Sequence, residues 1–434
     1  MFYGREKELE DLTAQYDNEM SAVTLVYGNE GIGKTSLIKK FLRGKKYIYY
    51  NTYPLSEKMA RESIQEKIFD VLDDNESIKV VVVENFENLS KVYDTFFESV
   101  GKIIDSGRKI MFLLTSSSVY WVENSMVELL SDRTDLISTA MKIKELPFVQ
   151  VAKQYPDYSV EELLKLYAIT GGVPKYLKYI DPAVSVKENV IKLMIADDAP
   201  LRNVGIDMVS RELRETSVYN SILSCLAKGM NKLNDLYETL ELGRDKISVY
   251  LKNLIDRGIV EKIFSFETSG SRNTKKGMYR ISVPIVEFWY RYIYNHSSEV
   301  EITESLTFYN EYIKNDLKSL LNETMIKVAN EYIDFLSEYK ALPAEVEHKG
   351  RWYGKNGDID IVARDINGDY IVCQCFYSAR QMSYDEYERL LELQKYSEIS
   401  AKYIYLFSVS GFDLKLKRLS EEMEGLVLVN VNEM

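Results

Sequence analysis

The first third of the chain alternates short apolar runs with amphipathic stretches. Residues 22–27 (AVTLVY), 46–50, 80–83 (VVVV) and 110–114 are short, rich in β-branched or aromatic side chains, and bounded by charged or glycine-containing segments. That pattern predicts strands. Helical spacing lies between them, for example at residues 36–42 and 59–72. Strands alternating with helices predict βαβ units and a parallel sheet covered on both faces. Helical sequence then dominates from about residue 148 to 195.

From residue 217 the pattern changes. Three helical segments (217–228, 232–242 and 244–257) precede two strand-like runs (259–266 and 277–283), which are joined by the polar stretch TSGSRNTKKG. Helix, helix, helix, hairpin is the order of a winged helix. After a helical bridge, residues 357–407 return to a mixed α/β pattern, with IDIVA, YIVCQCF and KYIYLFSV as its clearest strands. At roughly 150 residues per domain, 434 residues correspond to about three domains.

Composition narrows the function classes. A hydrophobic content of 46% excludes a disordered chain, and a net charge of −12 excludes polyanion binding by bulk electrostatics. Locally the balance differs. Residues 211–291 carry 14 basic and 10 acidic side chains, whereas residues 301–434 carry 15 and 24. Three cysteines cannot frame a secreted disulfide fold, and two histidines leave no His-rich metal site. The opening MFYGREKELE lacks the apolar core of a signal peptide, and the run at 110–122 is far short of the ~18–20 residues of a membrane span. A soluble, cytoplasmic protein with no membrane partner is expected.

The strongest chemical signal is Gly28-Asn29-Glu30-Gly31-Ile32-Gly33-Lys34-Thr35, which fits G-x-x-x-x-G-K-[ST] without a gap and lies between a predicted strand and a helix beginning near Ser36. Its glycines let backbone N–H groups turn toward a phosphate, and the helix N-terminus adds a favourable dipole. Lys34 is expected to reach the β- and γ-phosphates of a nucleoside triphosphate, and the Thr35 hydroxyl to coordinate Mg²⁺. ATP and Mg²⁺ are therefore the expected cofactors.

Such a site needs a second acidic strand, in which an Asp holds the metal and a following Glu polarises water. Here Val80–Val83 run into Glu84-Asn85-Phe86-Glu87. Glu84 can serve Mg²⁺, but Asn85 cannot accept a proton, so the usual general base is missing and hydrolysis is expected to be slow or absent. Glu87 is the alternative acid, three residues beyond the metal position.

These residues, with several others, resemble prokaryotic P-loop ATPases of the STAND/AAA+ kind, the archaeal-type ATPases. The resemblance covers nearly the whole chain. Residues 2–12 (FYGREKELEDL) are similar to that family's leading box near the adenine. Thr115-Ser116-Ser117 falls at its sensor position, which implies that Ser116 watches the γ-phosphate. Asp132-Arg133-Thr134 resembles the element carrying an arginine finger or phosphate sensor, here Arg133. Gly171-Gly172-Val173-Pro174-Lys175-Tyr176-Leu177 matches the GGVP-x-YL signature, which implies that Pro174 lies against the adenine.

The same resemblance implies an α/β P-loop NTPase domain with a parallel sheet (1–145), a helical lid (146–210), a winged-helix domain (211–295) and a C-terminal mixed α/β domain like PD-(D/E)XK nucleases (296–434). In the last, Asp360 falls on the first metal position and Glu323 on the accessory acid, but Gln374 replaces the metal-binding Glu and Phe376 the Lys. Losing an anionic ligand and a cation predicts an inactive domain. Cys373 and Cys375 have no convergent third ligand and are expected as core or half-buried side chains.

Arg244 and Lys246 on the candidate recognition helix, with Arg272, Lys275 and Lys276 on the wing loop, make duplex DNA a candidate partner alongside ATP and an unidentified protein. The resulting expectation is an ATP-binding switch or scaffold with weak hydrolysis, with an active ATPase coupled to DNA binding as the alternative.

Overall fold

The computed structural model describes residues 4–18, 21–210, 213–268 and 277–434. The described residues form two compact units. The first contains the residues up to Leu146 together with Val173–Lys178 and Lys252–Ile259, and the second contains the rest.

In the first unit, β1 (Ala22–Tyr27), β2 (Tyr47–Asn51), β3 (Val80–Glu84), β4 (Met111–Ser116) and β5 (Thr139–Lys142) form a sheet in the order β2-β3-β4-β1-β5, with every neighbouring pair parallel. The apolar runs become its central strands because helices cover both faces. Val80–Val83 are each 0% exposed, and every residue of β4 is buried. The register sets Tyr27 beside Ser116, and Asn51 beside Glu84, so the carboxyl ends of these strands lie along one edge. Ligands of open α/β sheets bind at that edge. The edge strand β5 was not among the predicted strands. Its TAMK alternates half-buried and exposed positions and carries no apolar run.

The second unit holds helices Thr216–Ala227, Leu233–Leu240 and most of Arg244–Asp256, then the antiparallel pair β6 (Val260–Ile263) and β7 (Met278–Ile281). Its largest sheet runs β12-β11-β10-β9-β8, from β8 (Val346–Gly354), β9 (Gly357–Asp365), β10 (Tyr370–Phe376), β11 (Ala401–Ser408) and β12 (Leu426–Asn430). Contacts β8–β9 and β9–β10 are antiparallel, and the rest parallel. Successive side chains alternate faces, except where the β8–β9 register shifts between the pairs Gly350–Val362 and Trp352–Ile359. Ile361, Ala363 and Cys373 pack with Met325, Ala329 and Ile333 of the helix Leu317–Glu338. Ile359, Val362 and Val372 pack on the other face with Leu390, Leu393 and Leu416 from helices Tyr384–Ser397 and Leu414–Glu422. Among the described residues no helix is long and apolar enough to cross a membrane.

Candidate nucleotide-binding site

The phosphate loop joins β1 to the helix Lys34–Phe41. Gly28 has φ +150°, and a Cβ there would come within 2.2 Å of the Ile143 carbonyl oxygen. Gly31 has φ +84°, and a Cβ there would meet the Lys175 side chain at 2.7 Å. No larger residue fits either place, which is the local reason the motif needs glycine. Gly28 N–H donates to the Ser116 carbonyl (3.2 Å), tying the loop to the end of β4.

Lys34 is 8% exposed, and its ammonium donates to the carbonyls of Gly28 (2.7 Å) and Asn29 (3.0 Å). Burial lowers its pKa to about 8, while Glu87, Glu30 and Glu84 pull it upward. Thr35 Oγ1 donates to Glu84 Oε1 at 2.5 Å, and the Tyr49 hydroxyl from β2 donates to Glu84 Oε2. Burial and the Glu84 carboxylate both push the Tyr49 hydroxyl well above its usual range. The loop hydroxyl and the acidic strand end therefore meet, with both oxygens of Glu84 held in place. A hard divalent cation takes oxygen donors of this kind.

Asn85 has a different task. It adopts a left-handed conformation (φ 57°, ψ 50°), which Asn tolerates better than most residues, and its Nδ2 donates to Asn51 Oδ1 at 2.8 Å. It turns the chain out of β3 and points toward β2. Glu87 follows in the short turn Phe86–Leu89. Its Oε1 accepts from Ser117 N–H (3.4 Å), and its Oε2 is buried with no hydrogen-bond partner among the described residues. Among the acids acting on Lys34, Glu87 has the largest effect. The tight turn at Asn85 brings Glu87, three positions beyond Glu84, back to the end of β4.

Ser116 is fully buried, and its hydroxyl accepts from Ser118 N–H (3.1 Å), closing a turn; its neighbour Thr115 accepts from Asn85 N–H (3.2 Å). Arg133 forms an ion pair with Asp94 (3.0 Å). Pro174 starts a short helix, and its Cγ lies 3.8 Å from where a Gly33 Cβ would stand. Lys175 was assigned no role from sequence, yet its N–H donates to the Gly31 carbonyl (3.0 Å) and its ammonium pairs with Glu30 (2.8 Å). Arg5, from the leading box, donates to the carbonyls of Ile32 (3.1 Å) and Lys144, bracing the loop from behind. Phe2 lies outside the described residues. Ile32 is buried in the core, whereas Ser36 is exposed on the first helical turn.

The basic side chains Arg244, Lys246 and Lys252 are exposed on their helix, with Arg244 over the Tyr237 ring and Lys252 paired to Asp256 (3.4 Å). Arg272, Lys275 and Lys276 lie outside the described residues.

In the C-terminal sheet a guanidinium sits among the carboxylates. Arg351 of β8 donates to both oxygens of Glu323 (2.8 and 2.9 Å) and to Asp358 (3.1 Å), and lies 3.7 Å from Asp360. Asp360 Oδ2 also accepts from Gln374 Nε2 (2.9 Å) and from the Cys375 N–H (2.8 Å). Burial pushes the Asp360 carboxyl up to about 7, against the downward pull of Arg351. Phe376 lies under the Arg380 guanidinium, 4.6 Å from its ring centroid. No group of three or more His, Cys, Asp or Glu among the described residues is placed to hold a metal ion. Cys373 is buried and Cys375 half-buried, and burial raises both thiols.

Residues 2–111 match a family described as an ATPase domain predominantly from Archaea, and residues 289–390 match archaeal and bacterial proteins of unknown function. An uncharacterised protein of Methanocaldococcus jannaschii is 28% identical over 387 residues, which is 85% of this chain and 85% of its own length. An uncharacterised ATP-binding protein of the same organism is 44% identical over 46 residues, 11% of this chain and 78% of its length. Among solved structures, the Walker-type ATPase of Pyrococcus abyssi has a TM-score of 0.49 at 14% identity, covering 67% of this chain and 96% of that one.

Proposed function

The chain belongs to the ATPase-domain family found predominantly in Archaea, and from that premise we propose that it binds Mg-ATP and acts in the cytoplasm as a nucleotide-dependent switch with slow hydrolysis. The observation that carries this reading is the Thr35–Glu84 hydrogen bond, which joins the phosphate loop to the acidic strand beside Lys34. Backbone N–H groups from Gly28 to Ser36 receive the phosphates, and the Lys34 ammonium leaves the loop carbonyls for the β- and γ-phosphate oxygens. Thr35 and Glu84 would hold Mg²⁺, which supplies charge neutralisation on those oxygens. Pro174 borders the nucleotide, Ser116 lies at the γ-phosphate end, and Arg133 acts as a finger only after leaving Asp94.

Slow turnover follows from Asn85, which turns the chain and accepts no proton. Glu87 is the acid that polarises water in its place, through the carboxylate oxygen that accepts no hydrogen bond among the described residues. The switch consists of two arrangements, of which ATP favours one. A lid (146–210), a winged helix (211–295) and a retired nuclease-like domain (296–434) are the parts that respond and present a surface to a protein partner. In that retired domain Arg351 neutralises the carboxylates.

The test is ATP turnover by wild type, Glu87→Gln and Asn85→Glu, with Lys34→Ala as the blank. Slow wild-type turnover should fall to the blank with Glu87→Gln and rise with Asn85→Glu. Turnover indifferent to Glu87→Gln sinks the assignment.

Exposed Arg244 and Lys246 on one helix favour a second reading, weak duplex binding. Its affinity would fall steeply with salt and again with Arg244→Ala, and a salt-independent affinity would exclude it.

A further inference from the structure

The second unit contains a cavity of about 740 Å³ that the nucleotide reading leaves unused. This is within the size range of small-molecule sites. Its floor is apolar and aromatic: Tyr309, Leu317 and Leu321 are buried, and Tyr377 is half-buried. Its rim carries four lysines, Lys165, Lys187, Lys314 and Lys318. The two carboxylates in the lining are already committed. Glu161 and Glu162 both pair with Lys165 (2.8 and 3.4 Å), and Glu162 also accepts from Val186 N–H (2.7 Å). Lys187, Lys314 and Lys318 form no ion pair among the described residues.

The lining thus carries four ammonium groups against two carboxylates, a surplus of two positive charges around an apolar floor, although the chain as a whole is strongly acidic. Like charges held together repel, and an anion in the cavity relieves that repulsion. Burial raises the hydroxyls of Tyr309 and Tyr377, with Glu162 acting upward on the first and Glu161 on the second, while Lys165 pulls both back. A surplus of two positive charges asks for more than one negative charge, and the floor asks for a flat, weakly polar body that inorganic phosphate lacks.

We propose that this cavity binds a small organic phosphate of nucleotide size, at a site separate from the phosphate loop. Lysines engage the phosphate as point charges, and the aromatic and leucine floor packs against the body.

The experiment is isothermal titration calorimetry of the full-length chain with ADP. Wild type should bind two ADP per chain, and Lys34→Ala one. Adding Lys314→Glu and Lys318→Glu to Lys34→Ala should weaken the remaining site at least tenfold while leaving the melting transition in place. Pyrophosphate should compete only at more than tenfold higher concentration than ADP. The proposal is overturned if Lys34→Ala shows no saturable binding, or if its binding ignores the two charge reversals. It is equally overturned if pyrophosphate binds as tightly as ADP, because the floor would then contribute nothing. The two charge reversals alter side chains of the cavity and none of the phosphate loop, so their effect is read apart from that loop.

Discussion

Within the second unit, Glu331 ties the helix Leu317–Glu338 to the helical segment near residues 148–170. Its Oε2 accepts from the Phe148 N–H (2.8 Å) and its Oε1 from the Tyr167 hydroxyl (2.5 Å). The helix Phe148–Ala152 begins after Pro147, which offers no side-chain cap, so Glu331 satisfies an opening N–H from 183 residues away. Tyr167 is 1% exposed, and its hydroxyl has no easy route to water. Glu331→Ala leaves both donors unsatisfied at about 1–3 kcal/mol each, so the loss is on the order of 4 kcal/mol. At about 2–4 °C per kcal/mol, the melting transition should fall by on the order of 10 °C in scanning calorimetry. Tyr167→Phe removes one donor and its need together. Combined with Glu331→Ala it should therefore recover about 1–2 kcal/mol in a double-mutant cycle. A Glu331→Ala protein melting within about 1 °C of wild type would refute the reasoning, since the two hydrogen bonds would then carry no net weight.

Arg351→Met should destabilise the second unit by about 3 kcal/mol, the low end for breaking a buried pair because Glu323 and Asp358 are part-exposed; a urea midpoint that hardly moves would show the pairs to be idle. Asp360 carries a folded-state pKa raised to about 7 against about 3.9 unfolded, so the folded chain holds a proton that the unfolded chain releases. Stability should thus fall as pH rises from about 4 to about 7, and Asp360→Asn should flatten that slope in urea titrations. Gly28→Ala meets the Ile143 carbonyl at 2.2 Å and should abolish measurable ATP binding, whereas Gly101→Ala, in a helix with nothing within 4 Å, should be neutral or stabilising by about 0.5–1 kcal/mol. Equal ATP affinity in the two variants would contradict the close packing of the loop.

The phosphate loop and the central strands were legible in the sequence because their causes are local. A glycine-spaced motif encodes its own backbone path, and a run such as Val80–Val83 suits only a strand buried on both faces. The three helices and hairpin between residues 216 and 281 were likewise placed to within a few residues, as periodicity is a property of neighbouring positions. The edge strands β5 and β8 were not read, since TAMK and VEHKGRWYG owe their pairing to a neighbour and not to their own composition. Tertiary structure alone decided three further matters. It brought Glu87 back to Ser117 at the end of β4, through a left-handed turn at Asn85, where its charge raises the pKa of Lys34. It brought Arg351 to Glu323, 28 residues earlier, and to Asp358 and Asp360. It also collected four lysines from three separate stretches of chain around one cavity. Charge and hydrogen-bonding capacity belong to each residue, but what they meet is fixed by chain reversals and packing between distant segments, so the site's chemistry was written in the sequence and its partnerships only in the fold.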